Sequence, residues 1–140
     1  MPSLSDLYKA IPYPLDASDK RLLKKAYETA EKAHEGQKRK SGDPYLIHTV
    51  HTAINLANIG MDPKTIAAGL LHDVPEDTEL TLEDVRKEFG DEIAHLVDGV
   101  TKLGRIRLRG SQEEYFLENL RKMFLAMAAD IRVVIIRLAD

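Results

Sequence analysis

The sequence predicts an all-α protein, and three observations support this fold class. Most segments of the 140-residue chain space their apolar residues three or four positions apart, as one face of an α-helix requires. Most of the eight glycines and six prolines fall between these segments, where helices begin and end. The strand-like segment at residues 133–136 has no convincing partner strand elsewhere in the chain, and a strand without a partner is unstable.

The first predicted helix lies between residue 16 and Gly36, after a polar lead-in that contains two prolines. Either Asp16 or Ser18 can cap its N-terminus, because a short polar side chain accepts a hydrogen bond from a free N–H of the first turn. Gly36 is expected to end the helix in a left-handed conformation. The residues that this helix would bury are Leu22, Leu23, Ala26, Ala30 and Ala33.

Two further helices follow a basic loop at residues 37–43. The second helix is predicted at residues 44–59 and ends at Gly60. Asp62 is a suitable cap and Pro63 a suitable first residue, since proline lacks an N–H that would have no acceptor there. A third helix is therefore predicted at residues 63–73. The stripe of the second helix comprises Ile47, Val50, Ile54 and Ala57.

Pro75 makes continuation of the third helix unfavourable, because it lacks a backbone donor and crowds the preceding turn. Residues 74–80 are therefore predicted to form an acidic turn. Thr81 and Asp84 have the spacing of a capping box, which opens a helix that ends at Phe89 and Gly90. The apolar stripe of the next helix comprises Ile93, Leu96, Val97 and Val100.

The C-terminal part contains a loop at residues 104–110, predicted to be mobile, and two more helices. The longer one, at residues 112–129, would turn Phe116, Leu120, Met123, Phe124 and Met127 inward. Residues 131–140 suit either a buried strand or a buried helix. We predict a helix, because a lone strand would leave its backbone polar groups unpaired. The chain stops inside this patterned element, so we expect it to be a fragment of a longer protein.

The composition excludes several classes of protein. The length suits one domain, and a net charge of −3 argues against a general nucleic-acid binder. The aliphatic runs are far shorter than the roughly 20 residues that span a bilayer. The lack of cysteine excludes disulfides and thiolate sites. Since the N-terminus also lacks the pattern of a signal peptide, we expect a cytoplasmic location.

One imidazole and three carboxylates fall within six residues, namely His72, Asp73, Glu76 and Asp77. A divalent metal with such ligands would offset the repulsion between the acids and leave coordination positions open for water. A solvated acidic helix end explains the spacing equally well. His48 and His51 share a helix face, and Asp140 lies on the last element. Spacing alone leaves open which of the two histidines would join a metal site.

Cations cluster in two predicted loops. For Arg105, Arg107 and Arg109, a solvated loop is the favoured interpretation. For residues 38–40, taken alone, a solvated basic loop is favoured as well.

Four ordered motifs resemble the hydrolase domain of the RelA/SpoT homologues, bacterial alarmone enzymes of the HD superfamily. The motifs are Arg39-Lys40-Ser41-Gly42-Asp43-Pro44-Tyr45 with His48, Leu71-His72-Asp73-Val74-Pro75-Glu76-Asp77-Thr78, Asp98-Gly99-Val100-Thr101-Lys102-Leu103, and Arg121-Lys122-Met123 through Asp130-Ile131-Arg132 to Leu138-Ala139-Asp140. The match runs from about residue 20 to the last residue and resembles the long bifunctional members most. It implies a bundle of helices, which agrees with the helical pattern.

The resemblance also implies roles for particular residues. The family's metal, manganese, is bound at positions that correspond here to His48, His72, Asp73 and Asp140. This would make His51 a structural neighbour. The family's catalytic acids, which we expect to order the attacking water and carry its proton, correspond to Glu76 and Asp77. The family's nucleotide-binding loop corresponds to Arg39, Lys40 and Ser41, whose cations can stack on guanine and contact phosphate.

The implied activity is removal of pyrophosphate from the 3′ position of guanosine tetra- or pentaphosphate, which leaves GDP or GTP and belongs to the stringent response. Residues 1–140 would form one HD-type alarmone hydrolase domain, cut short at its C-terminal end and therefore weakly active alone. The implied partners are the synthetase and regulatory domains of the parent chain, with neither membrane nor nucleic acid bound by this domain.

Two alternatives stay open. The chain could be an HD phosphohydrolase that acts on another nucleotide, although Arg39, Lys40 and Ser41 argue against this. It could also be a non-catalytic regulatory module attached to a synthetase domain, although the intact set of candidate ligands argues against degeneration.

Overall fold

The structure, a computed structural model, describes residues 2–38, 42–104 and 130–140. Within these residues the chain is helical without any β-sheet, and an isolated antiparallel bridge joins Lys38 to Pro44. The all-α prediction is confirmed. The helices are α1 (Leu4–Ala10), α2 (Ala17–Ala33), α3 (Tyr45–Asn58), α4 (Pro63–Leu71), α5 (Val74–Asp77), α6 (Leu82–Phe89), α7 (Asp91–Gly104) and α8 (Ile131–Ala139).

Side-chain caps begin the helices α2, α4 and α6 at predicted positions. Asp16, and not Ser18, caps α2, where its carboxylate accepts from the Asp19 N–H at 2.8 Å. Asp62 caps α4, and Thr81 forms the predicted capping box of α6. Each cap satisfies a first-turn N–H that has no partner inside its helix. Gly36 lies just beyond α2 with a φ of 78°, which confirms the predicted left-handed end.

Two short helices differ from the prediction. The lead-in before residue 16 contains α1, which Ser3 and Asp6 start with a capping box and which buries Leu7. The acidic turn at residues 74–80 begins with the helical turn α5. Pro75 is compatible with α5 because the first N–H groups of a helix have no acceptor within that helix.

Helix α4 lies at the centre of the described bundle, in contact with α2, α3, α7 and α8. Every residue from 65 to 71 is buried, including Gly69. Residues 66–71 are all apolar or glycine, as a helix that is buried on every side requires. The position of α4 fixes the two residues that follow it, His72 and Asp73. The largest fully buried side chains around α4 include Leu23, Leu56, Leu70, Ile93, Leu96 and Ile136.

Helix α8 confirms the helical choice for residues 131–140. Val133 and Ile136 are buried in the core. At the N-terminal end, Arg132 donates to Glu92 of α7 at 2.7 Å. At the C-terminal end, Asn55 of α3 donates to the Ala139 carbonyl at 3.0 Å. Both ends of α8 are thus attached to other helices, and Asp140 directly follows the C-terminal end.

Several predictions fall outside the described residues. These are the loop after Gly104, the helix at residues 112–129 with its inward residues, and the residues Arg105, Arg107, Arg109, Arg39, Lys40 and Ser41. Across the described helices, none combines the length and the hydrophobicity needed to cross a membrane.

The packing of α8 on α7 predicts a cost for adding one methyl group at Gly99. A Cβ there would lie 2.6 Å from Cγ2 and 3.2 Å from Cγ1 of Val133, whose branched side chain has one preferred rotamer in a helix. Overpacking costs about 1–3 kcal/mol, against about 1 kcal/mol gained in helix propensity. Urea denaturation of Gly99→Ala should therefore show a free energy of unfolding that is lower by up to about 2 kcal/mol.

The control for this prediction is the same substitution after space has been made. In a Val133→Ala background, Gly99→Ala should be neutral or stabilising, because the two γ-carbons are gone. An equal loss of stability in both backgrounds would contradict steric contact with Val133 as the cause.

Candidate metal centre

Four side chains from three separate parts of the described chain converge on one point. His48 comes from α3, His72 and Asp73 from the junction of α4 and α5, and Asp140 from the end of α8. One nitrogen or carboxylate oxygen from each lies within 4.8 Å of the others. His72 is almost fully buried, and the other three side chains are 13–14% exposed. The cluster is thus partly open to solvent.

The short junction between α4 and α5 aims two of these side chains. His72 and Asp73 both keep right-handed helical backbone angles there. The Nδ1 atom of His72 lies 2.7 Å from the Gly69 carbonyl, which assigns the Nδ1 proton to that bond and orients the ring. The opposite ring atom, Nε2, consequently faces the cluster.

The surroundings of His72 Nε2 test whether a cation fits. Asp73 Oδ2 lies 3.0 Å away and Asp140 Oδ1 3.2 Å away, yet neither lies in the direction required of a hydrogen-bond acceptor. Among the described residues this buried nitrogen has no hydrogen-bond partner. A lone pair that faces two carboxylates is repelled unless a positive charge lies between them. Two imidazoles with two carboxylates therefore suit a divalent metal ion.

In the absence of a metal, protons take the place of that positive charge. Burial lowers the pKa of His72, but the carboxylates of Asp140 and Asp73 outweigh burial and raise the pKa to about 10. Burial raises the pKa of Asp140, whereas contacts with His48, at 2.5 Å, and with His72 lower it more strongly. A metal ion and a proton must therefore compete for the same imidazole.

The acidic pair lies directly beside the cluster, on α5. Glu76 lines a cavity of about 90 Å³ together with His72, Asp73 and Thr101, which leaves room for water next to the candidate ligands. Asp77 is reached through Tyr45, whose hydroxyl lies 2.9 Å from Asp77 Oδ2 and 3.1 Å from Asp73 Oδ2. The structure thus brings both predicted acids next to the predicted ligands.

Two residues at this site were missed at the sequence level. Tyr45 lay within a recognised motif without receiving a role. Arg137 donates to Asp140 Oδ2 at 2.8 Å and lines the same cavity as Glu76. Its spacing of three residues from Asp140 on a helix was the available signal. His51, in contrast, is exposed and does not belong to the cluster.

The predicted nucleotide-binding residues Arg39, Lys40 and Ser41 are not described, but the chain on either side of them is. Gln37 donates from Nε2 to the Asp77 carbonyl at 2.8 Å, and Tyr45 contacts the Asp77 side chain. The predicted loop therefore joins two residues that contact the acidic pair.

Comparisons with known proteins identify the family of the chain. Residues 26–140 match the HD domain family. Curated relatives include a GTP pyrophosphokinase of Streptomyces coelicolor, 51% identical over 90% of this chain, and a guanosine-3′,5′-bis(diphosphate) 3′-pyrophosphohydrolase of Aquifex aeolicus, 46% identical over 96%. The bifunctional (p)ppGpp synthase/hydrolase SpoT of Escherichia coli K12 is 49% identical over 86%. The chain spans 14%, 18% and 17%, respectively, of the lengths of these relatives.

The geometry predicts that the two histidines of α3 differ in metal binding. Calorimetric titration with Mn²⁺ should show that His48→Gln weakens binding by more than about 100-fold. Even the removal of a group that only orients a metal ligand lowers metal affinity by about 10–100-fold. The matched variant His51→Gln should bind Mn²⁺ as the unmodified chain does. Equal losses in both variants would contradict the cluster.

Metal affinity should also depend on pH in a defined direction. Because the pKa of His72 is raised from 6.5 to about 10, its bound proton stabilises the metal-free fold fully below pH 6.5, and that contribution is lost towards pH 10. Metal binding must displace this proton, so the affinity for Mn²⁺ should rise about tenfold per pH unit between pH 7 and 9. Calorimetry in buffers of different protonation enthalpy should detect the released proton. An affinity independent of pH would contradict this competition.

Proposed function

The chain belongs to the HD-domain family, and we propose that it is the hydrolase domain of a RelA/SpoT homologue, which removes pyrophosphate from the 3′ position of guanosine tetra- or pentaphosphate. The observation that carries this proposal is the cluster of two imidazoles and two carboxylates with an acidic pair beside it. Relatives named as 3′-pyrophosphohydrolases support the substrate class. Because the HD domain match covers residues 26–140, we assign hydrolysis to this chain and not synthesis.

We propose that Mn²⁺ is held by His48, His72, Asp73 and Asp140. The two carboxylates and two nitrogens suit a divalent ion of intermediate hardness. When bound, the ion supplies polarisation of a phosphoryl oxygen and a lowered pKa for a coordinated water. Arg137 holds the Asp140 carboxylate through its 2.8 Å contact and so keeps the last ligand directed at the cluster.

Glu76 and Asp77 are proposed to order the attacking water and to accept its proton. The oxygen of this water forms a bond to the phosphorus next to the ribose 3′ oxygen, and the bond between that phosphorus and the 3′ oxygen breaks. The released 3′ oxygen takes up a proton, which leaves GDP or GTP together with pyrophosphate. The cavity shared by Glu76 and His72 supports this role, because it places a carboxylate beside the proposed ligands.

Arg39, Lys40 and Ser41 are proposed to bind the nucleotide. The contacts of Gln37 and Tyr45 with Asp77 support this, because they attach both sides of this segment to the acidic pair. A guanidinium suits stacking on guanine, and an ammonium suits phosphate.

We propose that residues 1–140 are an HD-type domain cut from a longer chain, whose synthetase and regulatory domains would be its partners. The small share of each relative's length that the chain covers supports this. The stringent response and the cytoplasmic location stay predictions from the sequence.

The proposed reaction predicts the effect of removing the acidic pair. Pyrophosphate release from guanosine tetraphosphate with saturating Mn²⁺ should fall by about 10²–10⁴-fold in Glu76→Gln, because proton transfer would be lost. Mn²⁺ affinity should stay within about threefold, since Glu76 is outside the cluster. Glu79→Gln, an exposed acid three residues further along, is the matched control and should keep full turnover.

Unchanged turnover in Glu76→Gln would remove this residue from the chemistry. A panel of other nucleotides tests the substrate class in the same assay. Faster hydrolysis of another nucleotide, or no turnover by either this chain or its longer parent, would contradict the proposed function.

A further inference from the structure

The hydroxyl of Tyr45 lies between two carboxylates that belong to different parts of the site. It is 3.1 Å from Oδ2 of Asp73, a member of the four-residue cluster, and 2.9 Å from Oδ2 of Asp77, which lies outside the cluster. A tyrosine hydroxyl has one proton to donate, and an ionised carboxylate can only accept. Both carboxylates therefore compete for one proton.

Tyr45 is also held in place by residues outside the cluster. Its ring stacks on that of His34, which is 3% exposed, with centroids 4.7 Å apart and an angle of 17°. His34 Nδ1 lies 3.1 Å from Oε1 of Gln37. Gln37 in turn donates to the Asp77 carbonyl at 2.8 Å and accepts from the Tyr45 backbone N–H at 3.0 Å. This closed set of contacts fixes the Tyr45 ring relative to the backbone of Asp77.

The hydroxyl stays a donor under ordinary conditions. Burial and the negative charges of Asp73 and Asp77 all raise the pKa of Tyr45 above its usual value. The hydroxyl therefore keeps its proton, and only the carboxylate that accepts its hydrogen bond can change.

We propose that Tyr45 is a positioning residue that couples metal binding at the cluster to the position of the Asp77 carboxylate. On metal binding, the hydrogen bond of its single hydroxyl proton changes its acceptor from Asp73 to Asp77. When Asp73 gives its Oδ2 lone pair to a cation, that oxygen becomes a poorer acceptor. The proton of Tyr45 then bonds to Asp77 alone and fixes the Asp77 carboxylate. The consequence for catalysis rests on the proposed function, whereas the change of acceptor requires only a bound cation.

Near-ultraviolet difference spectroscopy can follow this change directly, because the chain has five tyrosines and no tryptophan. Titration of the metal-free chain with Mn²⁺ should produce a tyrosine difference band, since the hydroxyl changes its hydrogen bonding. Tyr45→Phe keeps the ring and its stacking on His34 but should abolish the band. Tyr13→Phe, which loses a hydroxyl bonded to the Met61 carbonyl, is the matched control and should keep it.

A second variant tests the other acceptor and does not require Tyr45→Phe to fold. In Asp77→Ala, the hydroxyl keeps Asp73 alone of these two carboxylates, and Asp73 becomes a poorer acceptor once it binds Mn²⁺. The shift of tyrosine absorption to shorter wavelength should then exceed that of the unmodified chain. Each of three results would overturn the proposal. The band persists in Tyr45→Phe, the unmodified chain shows no band at saturating Mn²⁺, or the shift in Asp77→Ala is no larger than in the unmodified chain.

Turnover separates this inference from the proposed function. At saturating Mn²⁺, Tyr45→Phe should lower kcat for guanosine tetraphosphate by about 10–100-fold, as loss of a group behind the ligands typically does, with KM within about threefold. An unchanged kcat would overturn the positioning role of Tyr45. If the spectral results are as expected but the unmodified chain and its longer parent hydrolyse no alarmone, the change of hydrogen-bond acceptor stands and the proposed function fails.

Discussion

The need for positive charge between two carboxylates dominates this structure. Asp73 and Asp140 bring two negative charges to within a few ångströms of the buried His72, and such charges are stable together only with protons or a metal ion among them. The unpartnered Nε2 of His72 shows where that charge belongs. Both the fit of a divalent ion and the raised pKa of His72 follow from this one constraint.

The bundle holds these groups together although they are far apart in the sequence. Helix α4 is packed on several sides, so the position of His72 cannot shift without disturbing the core. Helix α8 is attached through the close approach of Val133 to Gly99 and through the bonds of Arg132 and Ala139 to other helices. The core therefore does more than stabilise the fold, because it determines the distances between the charged groups.

The acidic pair and Tyr45 form a second layer around the cluster. The proline of α5 lies where the helix needs no donor, so one helical turn presents Glu76 and Asp77 immediately after the candidate ligands. Tyr45 connects this turn to Asp73, and Gln37 connects it to the end of α2. Proposed ligands, proposed catalytic acids and the flanks of the proposed nucleotide loop thus form one continuous set of contacts.

For α2 the sequence left Asp16 and Ser18 open as caps, and for residues 131–140 the choice of a helix depended on the lack of a partner strand. The sequence by itself determined the helical class and the caps at Asp62 and Thr81. These features depend on periodicity and on hydrogen bonds between residues three or four positions apart, which are visible in one dimension. The errors of the prediction from sequence also concern single short segments. The prediction overlooked α1 because that helix is short, despite the cap at Ser3, and it missed α5 because proline was treated as a breaker where it is tolerated.

Only the tertiary structure decided which side chains meet. His48 and His51 are equivalent by spacing, and the packing of α3 turns His48 into the cluster while leaving His51 exposed. The hydroxyl of Tyr45 between two carboxylates and the contact of Arg137 with Asp140 likewise depend on side-chain directions within the bundle. Such distances are set by how helices rotate and pack, and these follow from the whole core and not from any one segment.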